Sequence, residues 1–222
     1  MYVPKTKEDL KVLIANNVPG DQIDVSHITD MSFLFMDTSY NHPLESWDVS
    51  HVTNMQDMFL RSRYNHPLNN WDVSHVTNMK SMFLLSRYNH PLDSWDTRRV
   101  KNMNSMFCNS HFNHPLDTWN VSNVSNMGYM FFRSNYNHPL NSWDTSKLKM
   151  ISHIFEFSEY NHPLDSWDVS EVKNANRLFY KSKFTHWKSL ETWHFTKVRY
   201  ISGMFMNTGA KFSYSISMTV VD

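Results

Sequence analysis

The chain has 222 residues, with 21 Lys+Arg against 21 Asp+Glu, 13 His, 8 Trp, 15 Met and only 4 Gly. An aromatic share of 15% within 41% hydrophobic residues excludes disorder, and scarce glycine excludes collagen-like and flexible-linker chains. Balanced charge removes the footprint of a general polyanion binder, and one cysteine, Cys108, forms neither an internal disulfide nor a Cys-based zinc site.

Thr6-Lys7-Glu8-Asp9 followed by Leu10, Val12, Leu13 and Ile14 predicts a capped amphipathic helix ending near Asn17, Pro19 and Gly20. Residues 1–19 thus read as an N-terminal helical cap. They hold no uninterrupted apolar core of a signal peptide, and no apolar run in the chain is long enough for membrane insertion.

A repeat occupies residues 20–209. A degenerate copy, Ile23-Asp24-Val25-Ser26, opens it; Trp47, Trp71, Trp95, Trp119, Trp143 and Trp167 then recur every 24 residues, and Trp193 follows after 26. The unit reads L-x-x-W-D-V-S-x-V-T-N-M-x-x-M-F, a polar segment, then Y-N-H-P. Leu44 to Leu190 form a second column, Phe35 to Phe205 a third, and ten of the Met fall in two more. Within one copy, Leu44-x-x-Trp47-x-Val49 predicts a short strand with Trp47 and Val49 on one face. Val52, Met55, Met58 and Phe59 switch to the spacing of a short helical or 3₁₀ turn. Tyr64-Asn65-His66-Pro67 is a tight turn, because Pro restricts its own φ and its predecessor. The predicted fold class is α/β, a right-handed leucine-rich-repeat-like solenoid. It has about eight 24-residue coils of short parallel strand plus short helical or 3₁₀ turn. The insertion around His186-Trp187 marks a bulged loop. Residues 210–222, with an alternating start at Phe212, read as a C-terminal cap, so 1–222 is a single repeat domain.

Asn-x-Pro-Leu-x-x-Trp-Asp-Val-Ser-x-Val-Thr-x-Met-x-x-Met-Phe resembles the repeat of the BspA-like leucine-rich-repeat surface proteins, which is also known as a domain of unknown function in mycoplasma lipoproteins. Pro4-Lys5-Thr6-Lys7-Glu8-Asp9-Leu10 resembles the segment that precedes such arrays. The resemblance implies adhesion or protein binding and a cell-surface or secreted location. The chain departs from the pattern by writing His where Gln is common in the Asn-x-Pro turn. It also shows no signal peptide, lipid-attachment cysteine or wall anchor, so a cytoplasmic or viral setting is the alternative.

The seven columnar Trp, Trp47 to Trp193, are assigned to the core, where Trp supplies a large apolar body and Met fills gaps. His42, His66, His90, His114, His138 and His162 form a ladder in the turns; with no carboxylate or thiol column at site spacing, stacked turn residues are favoured over a metal site. Asp48, Asp72, Asp96, Asp144 and Asp168, with Asn120 in register, point opposite to Trp on the predicted strand. Together with Glu45, Asp93, Asp117 and Asp165 they make a candidate ligand-binding strand face; hydrogen bonding of each Asp to nearby backbone is the alternative. Arg61, Arg63, Arg87, Arg133, Lys181 and Lys183 form no continuous basic groove, so nucleic acid is not an expected partner. Two glycosylation sequons, Asn120-Val-Ser122 and Asn123-Val-Ser125, follow from the repeat's own composition. Every polar constellation is repeated and none is unique, so no catalytic residue, metal or cofactor is assigned. The expectation is a non-catalytic interaction or adhesion-type module for a protein or host macromolecule, the alternative an assembly protein that stacks through its ends or edges.

Overall fold

The computed structural model describes residues 1–208 and the main chain of Ser217–Met218. Helix α1 (Lys7–Ala15) starts at Thr6, whose hydroxyl accepts the Asp9 amide at 3.1 Å while the Asp9 carboxylate accepts the Thr6 amide at 2.9 Å. The reciprocal pair satisfies donors that a helix start leaves open. Leu10 and Ile14, one turn apart, bury their side chains in the common core. The cap joins the array at Gly20, where a Cβ would lie 2.3 Å from the Pro43 carbonyl oxygen, so only glycine fits this approach. Ahead of the helix, the Tyr2 amide donates to Gln22 at 2.7 Å and the Asp24 amide donates to Tyr2 at 2.8 Å, pairing the chain start with the opening copy.

From there each copy lies beside the next. Parallel bridges join Asp30, Asn54, Asn78, Asn102, Asn126, Met150, Asn174 and Tyr200 in succession. The amides of Met55, Asp57, Phe59 and Arg61 donate to the carbonyls of Asn78, Lys80, Met82 and Leu84 at 2.8–2.9 Å. Intervening amides turn back within the coil, Met58 to Met55 and Leu60 to Asp57 at 3.3 Å and Ser62 to Phe59 at 3.1 Å. Asp57 (φ 54°) and Arg61 (φ 53°) are left-handed at the third positions of turns 55–58 and 59–62, as type II turns require. The same two left-handed positions recur in each coil, as far as Gly203 (φ 65°) and Asn207 (φ 60°).

The parallel pairing therefore runs through residues such as 53–61, one arc later than the strand that the sequence suggests at Leu44–Val49. In that earlier arc the main-chain bonds are turn bonds, Trp47 to Leu44 and Val52 to Val49. Pro43 supplies no amide, and the Leu44 carbonyl already accepts both the Trp47 amide and the Trp71 indole. The expected 3₁₀ turn at Val52–Phe59 is likewise a chain of separate turns, because each left-handed residue breaks the helical run and aims alternate amides at the next coil.

Side chains stack in the same register. Phe35–Phe59, Phe59–Phe83 and Phe83–Phe107 have ring centres 5.2, 5.5 and 5.7 Å apart and nearly parallel planes. Trp47 to Trp193, the Leu column and both Met columns are buried. Where Val gives way to Thr97 and Thr145, the buried hydroxyls donate to the Asn120 and Asp168 carbonyls at 2.9 and 3.0 Å. The insertion forms a 3₁₀ turn, Trp187–Leu190, with Trp187 edge-on to Phe184 at 4.8 Å. Strand β1 (His194–Phe195) then pairs in parallel with β2 (Ser217–Met218). The remainder of the cap expected at 210–222 lies outside the described residues.

Candidate binding surface

The motif residues that the repeat holds constant are occupied in joining coils. Each indole of the Trp column donates to a carbonyl of the preceding coil: Trp47 to Gly20, Trp71 to Leu44 and Trp95 to Leu68, at 2.9–3.0 Å. The Asn-His-Pro turns interlock too. Asn65 and Asn89 amides donate to the Asn41 and Asn65 side-chain oxygens at 2.9 and 3.0 Å, while His66 and His90 bond through Nε2 to the Asn41 and Asn65 carbonyls. The His ladder is thus half-buried turn structure. Among the described residues, no group of three or more His, Cys, Asp or Glu side chains is placed to hold a metal ion.

The acidic column is exposed or half-buried, but each carboxylate accepts hydrogen bonds two residues on. Asp48 takes the Ser50 amide and hydroxyl at 3.0 and 2.7 Å, and Asp72, Asp144 and Asp168 take the amides of Ser74, Ser146 and Ser170. Asp96 accepts the Arg98 amide and guanidinium at 3.2 and 2.9 Å, and Asn120 fills the same slot with Ser122. These are Asx turns, in which each Asp bonds nearby backbone, the alternative to an open ligand-binding face. Hydrogen bonds from the Ser50 hydroxyl and amide hold the Asp48 carboxyl below the usual carboxylate range, and the same cause acts on Asp72 and Asp144. In the neighbouring column, Asp93 and Asp165 accept from Asn69 and Asn141 at 3.1 and 3.2 Å. Asp117 and Asp144 meet across a shallow depression of about 390 Å³ lined also by Thr118, Asn120, Ser122 and Ser142. Glu45 lies apart from it, beside Pro19 and His42 in a cleft of about 400 Å³ against the first coil.

A second surface escapes sequence reasoning. On the ladder arc, the positions beside the buried Met and Phe differ from coil to coil, and several of them face outward. Phe33, Leu85 and Tyr129 are 40, 43 and 37% exposed there. Further along, Glu156 is only 3% exposed; it accepts His153 Nδ1–H on one oxygen and Arg177 Nη2 at 3.4 Å on the other. Tyr129 stacks on the His153 ring at 4.3 Å. This grouping is unrepeated, which corrects the expectation that every polar constellation recurs. Its carboxylate is committed to pairing on both oxygens, and burial pushes the nearby Cys108 thiol up to about 11, leaving it protonated at neutral pH. The signal in the sequence is Glu156 in a column that earlier copies fill with Leu60, Leu84 and Phe132, beside ionisable His153 and Arg177 where earlier copies have Ser81 and Ser105.

No helix among the described residues is long and apolar enough to cross a membrane. The sequence profile of a family described as mycoplasma protein of unknown function matches residues 8–114, 84–189 and 109–219. Neither a curated protein nor a solved structure matches the chain.

Proposed function

The chain belongs to the family described as mycoplasma protein of unknown function, and we propose that it serves as a non-catalytic interaction module of the adhesion type that its BspA-like repeat implies. On this reading the coils form a solenoid, right-handed by the general preference of parallel crossovers, that presents a rigid surface to a protein or other host macromolecule. One observation carries it. Residues common to the copies are buried or tied into turns, whereas the outward ladder positions vary and expose large side chains such as Phe33, Leu85 and Tyr129. Exposed apolar and aromatic groups on a rigid frame mark interaction surfaces. Pairing of Tyr2 with Gln22 and Asp24 occupies main-chain groups of the opening copy on that arc, which weighs against end-to-end stacking there.

Affinity capture from host-cell extract tests it, comparing the chain with its Phe33→Ser/Leu85→Ser/Tyr129→Ser variant at matched circular dichroism. A discrete partner retained by the first and lost by the second is expected; identical captured sets would contradict the reading. Asp72→Asn/Asp96→Asn/Asp144→Asn, which keeps the turn acceptors, measures the share of the acidic edge.

A further inference from the structure

In the C-terminal coils, cations stand on aromatic faces. The Arg177 guanidinium carbon lies 4.0 Å from the Tyr180 ring centre and that of Arg133 4.9 Å from Phe157, while Lys181 Nζ is 5.5 Å from both rings. Phe157 and Tyr180 meet edge-on at 5.6 Å, so the three cations share one braced patch across successive coils. Residues 129–133, 153–157 and 177–181 contain three Lys or Arg and a single acid, Glu156, which is buried beneath Arg177. The patch therefore presents positive charge without a competing exposed carboxylate in these segments.

The geometry selects among anionic partners. A guanidinium stacked on a ring can still direct in-plane N–H groups at a carboxylate, although Arg177 spends Nη2 on Glu156 at 3.4 Å. The ring faces, already covered by cations, give nucleic-acid bases little on which to stack. Arg and Tyr packed together also have the composition of interface hot spots. We propose that Arg133, Arg177 and Lys181, braced on Phe157 and Tyr180, dock an acidic peptide segment of a partner protein. The proposal rests on the interaction-module reading and gives the partner a chemistry.

Fluorescence anisotropy on the full chain tests it with a labelled oligoglutamate peptide, and with an oligothymidylate of equal charge as second probe. Arg133→Gln/Lys181→Gln should weaken peptide binding about tenfold or more, as loss of close charge pairs does. Lys149→Gln/Lys173→Gln, which removes equal charge from exposed side chains elsewhere, should change it less than about twofold by the same arithmetic. Phe157→Leu, which keeps every charge but removes a brace, should also weaken the peptide complex. Equal weakening by both double variants, no peptide binding, or tighter binding of the oligothymidylate overturns the proposal. Any of these results, alongside partner capture that still depends on Phe33, Leu85 and Tyr129, would leave the interaction-module reading standing.

Discussion

Trp95 shows how one residue type serves two purposes: its side chain is 2% exposed in the core, and its indole N–H donates to the Leu68 carbonyl of the preceding coil at 2.9 Å. Trp95→Ala removes both and should cost ~3–5 kcal/mol in a denaturant melt; unchanged stability would contradict the core assignment. Tyr88 behaves oppositely. Its hydroxyl is buried facing the Leu68 backbone without an ordinary hydrogen bond, and burial raises its pKa well above the usual phenol value. Phe112 and Phe184 occupy the same column, so Tyr88→Phe should be neutral or stabilising by up to ~1 kcal/mol; a loss of more would reveal an unseen partner for the hydroxyl. The acidic column sets a pH dependence. Hydrogen bonds from Ser50 and Ser74 depress the Asp48 and Asp72 carboxyls, so their contribution is present above the unfolded pKa of ~3.9 and lost as pH falls through the folded value. Stability should decline below about pH 4, and less steeply in Asp48→Asn/Asp72→Asn, because Asn120 fills the same acceptor slot. Equal slopes in urea melts across that range would contradict this origin. At this scale the buried columns are legible, since a fixed 24-residue interval keeps large apolar residues in register. The Asp roles were half-legible: alternation placed them outward, but only the serine two residues on explains where the carboxylates bond.

Among the elements, α1 was readable from Thr6 and Asp9 because a capping box is local chemistry. The ladder arc was not. Its Met and Phe spacing resembles a helical turn, and the left-handed residues that divert alternate amides outward are ordinary Asp, Ser, Arg and Leu, without the glycine that normally signals such a backbone. Ser105, at φ 58°, offers the test, since the last coil places Gly203 in the same position. Ser105→Gly should stay within ~1 kcal/mol of the parent, whereas Ser105→Val should lose ~1–3 kcal/mol, as a β-branched residue strains the left-handed region. Comparable stability of both variants by chemical melt would contradict this conformation.

For the whole molecule, the arc that carries the pairing decides which side chains face outward on the proposed binding surface. Had the pairing lain at Leu44–Val49, the acidic column would flank it as an open strand face. With the ladder through 53–61, the acids sit in turns beside a bend and the outward residues are those of the variable strip. The period made the stacking legible; the cation–aromatic patch was hidden because Arg133, Phe157 and Lys181 share one column whose residue type changes from coil to coil, and Arg177 joins them from another column. Zero net charge also conceals a polarity, since residues 1–100 carry nine Lys+Arg and twelve Asp+Glu while residues 101–222 carry twelve and nine. The most direct measurement is native-state hydrogen exchange by NMR. The amides of Met79, Ser81, Phe83 and Leu85, which donate to the next coil at 2.8–3.0 Å, should exchange only through global opening. Those of Asp72 and Val73, which enter no main-chain hydrogen bond among the described residues, should exchange through local opening. Slow exchange at Asp72 and Val73 with rapid exchange at Met79–Leu85 would move the ladder to the other arc and overturn the placement of the proposed binding surface.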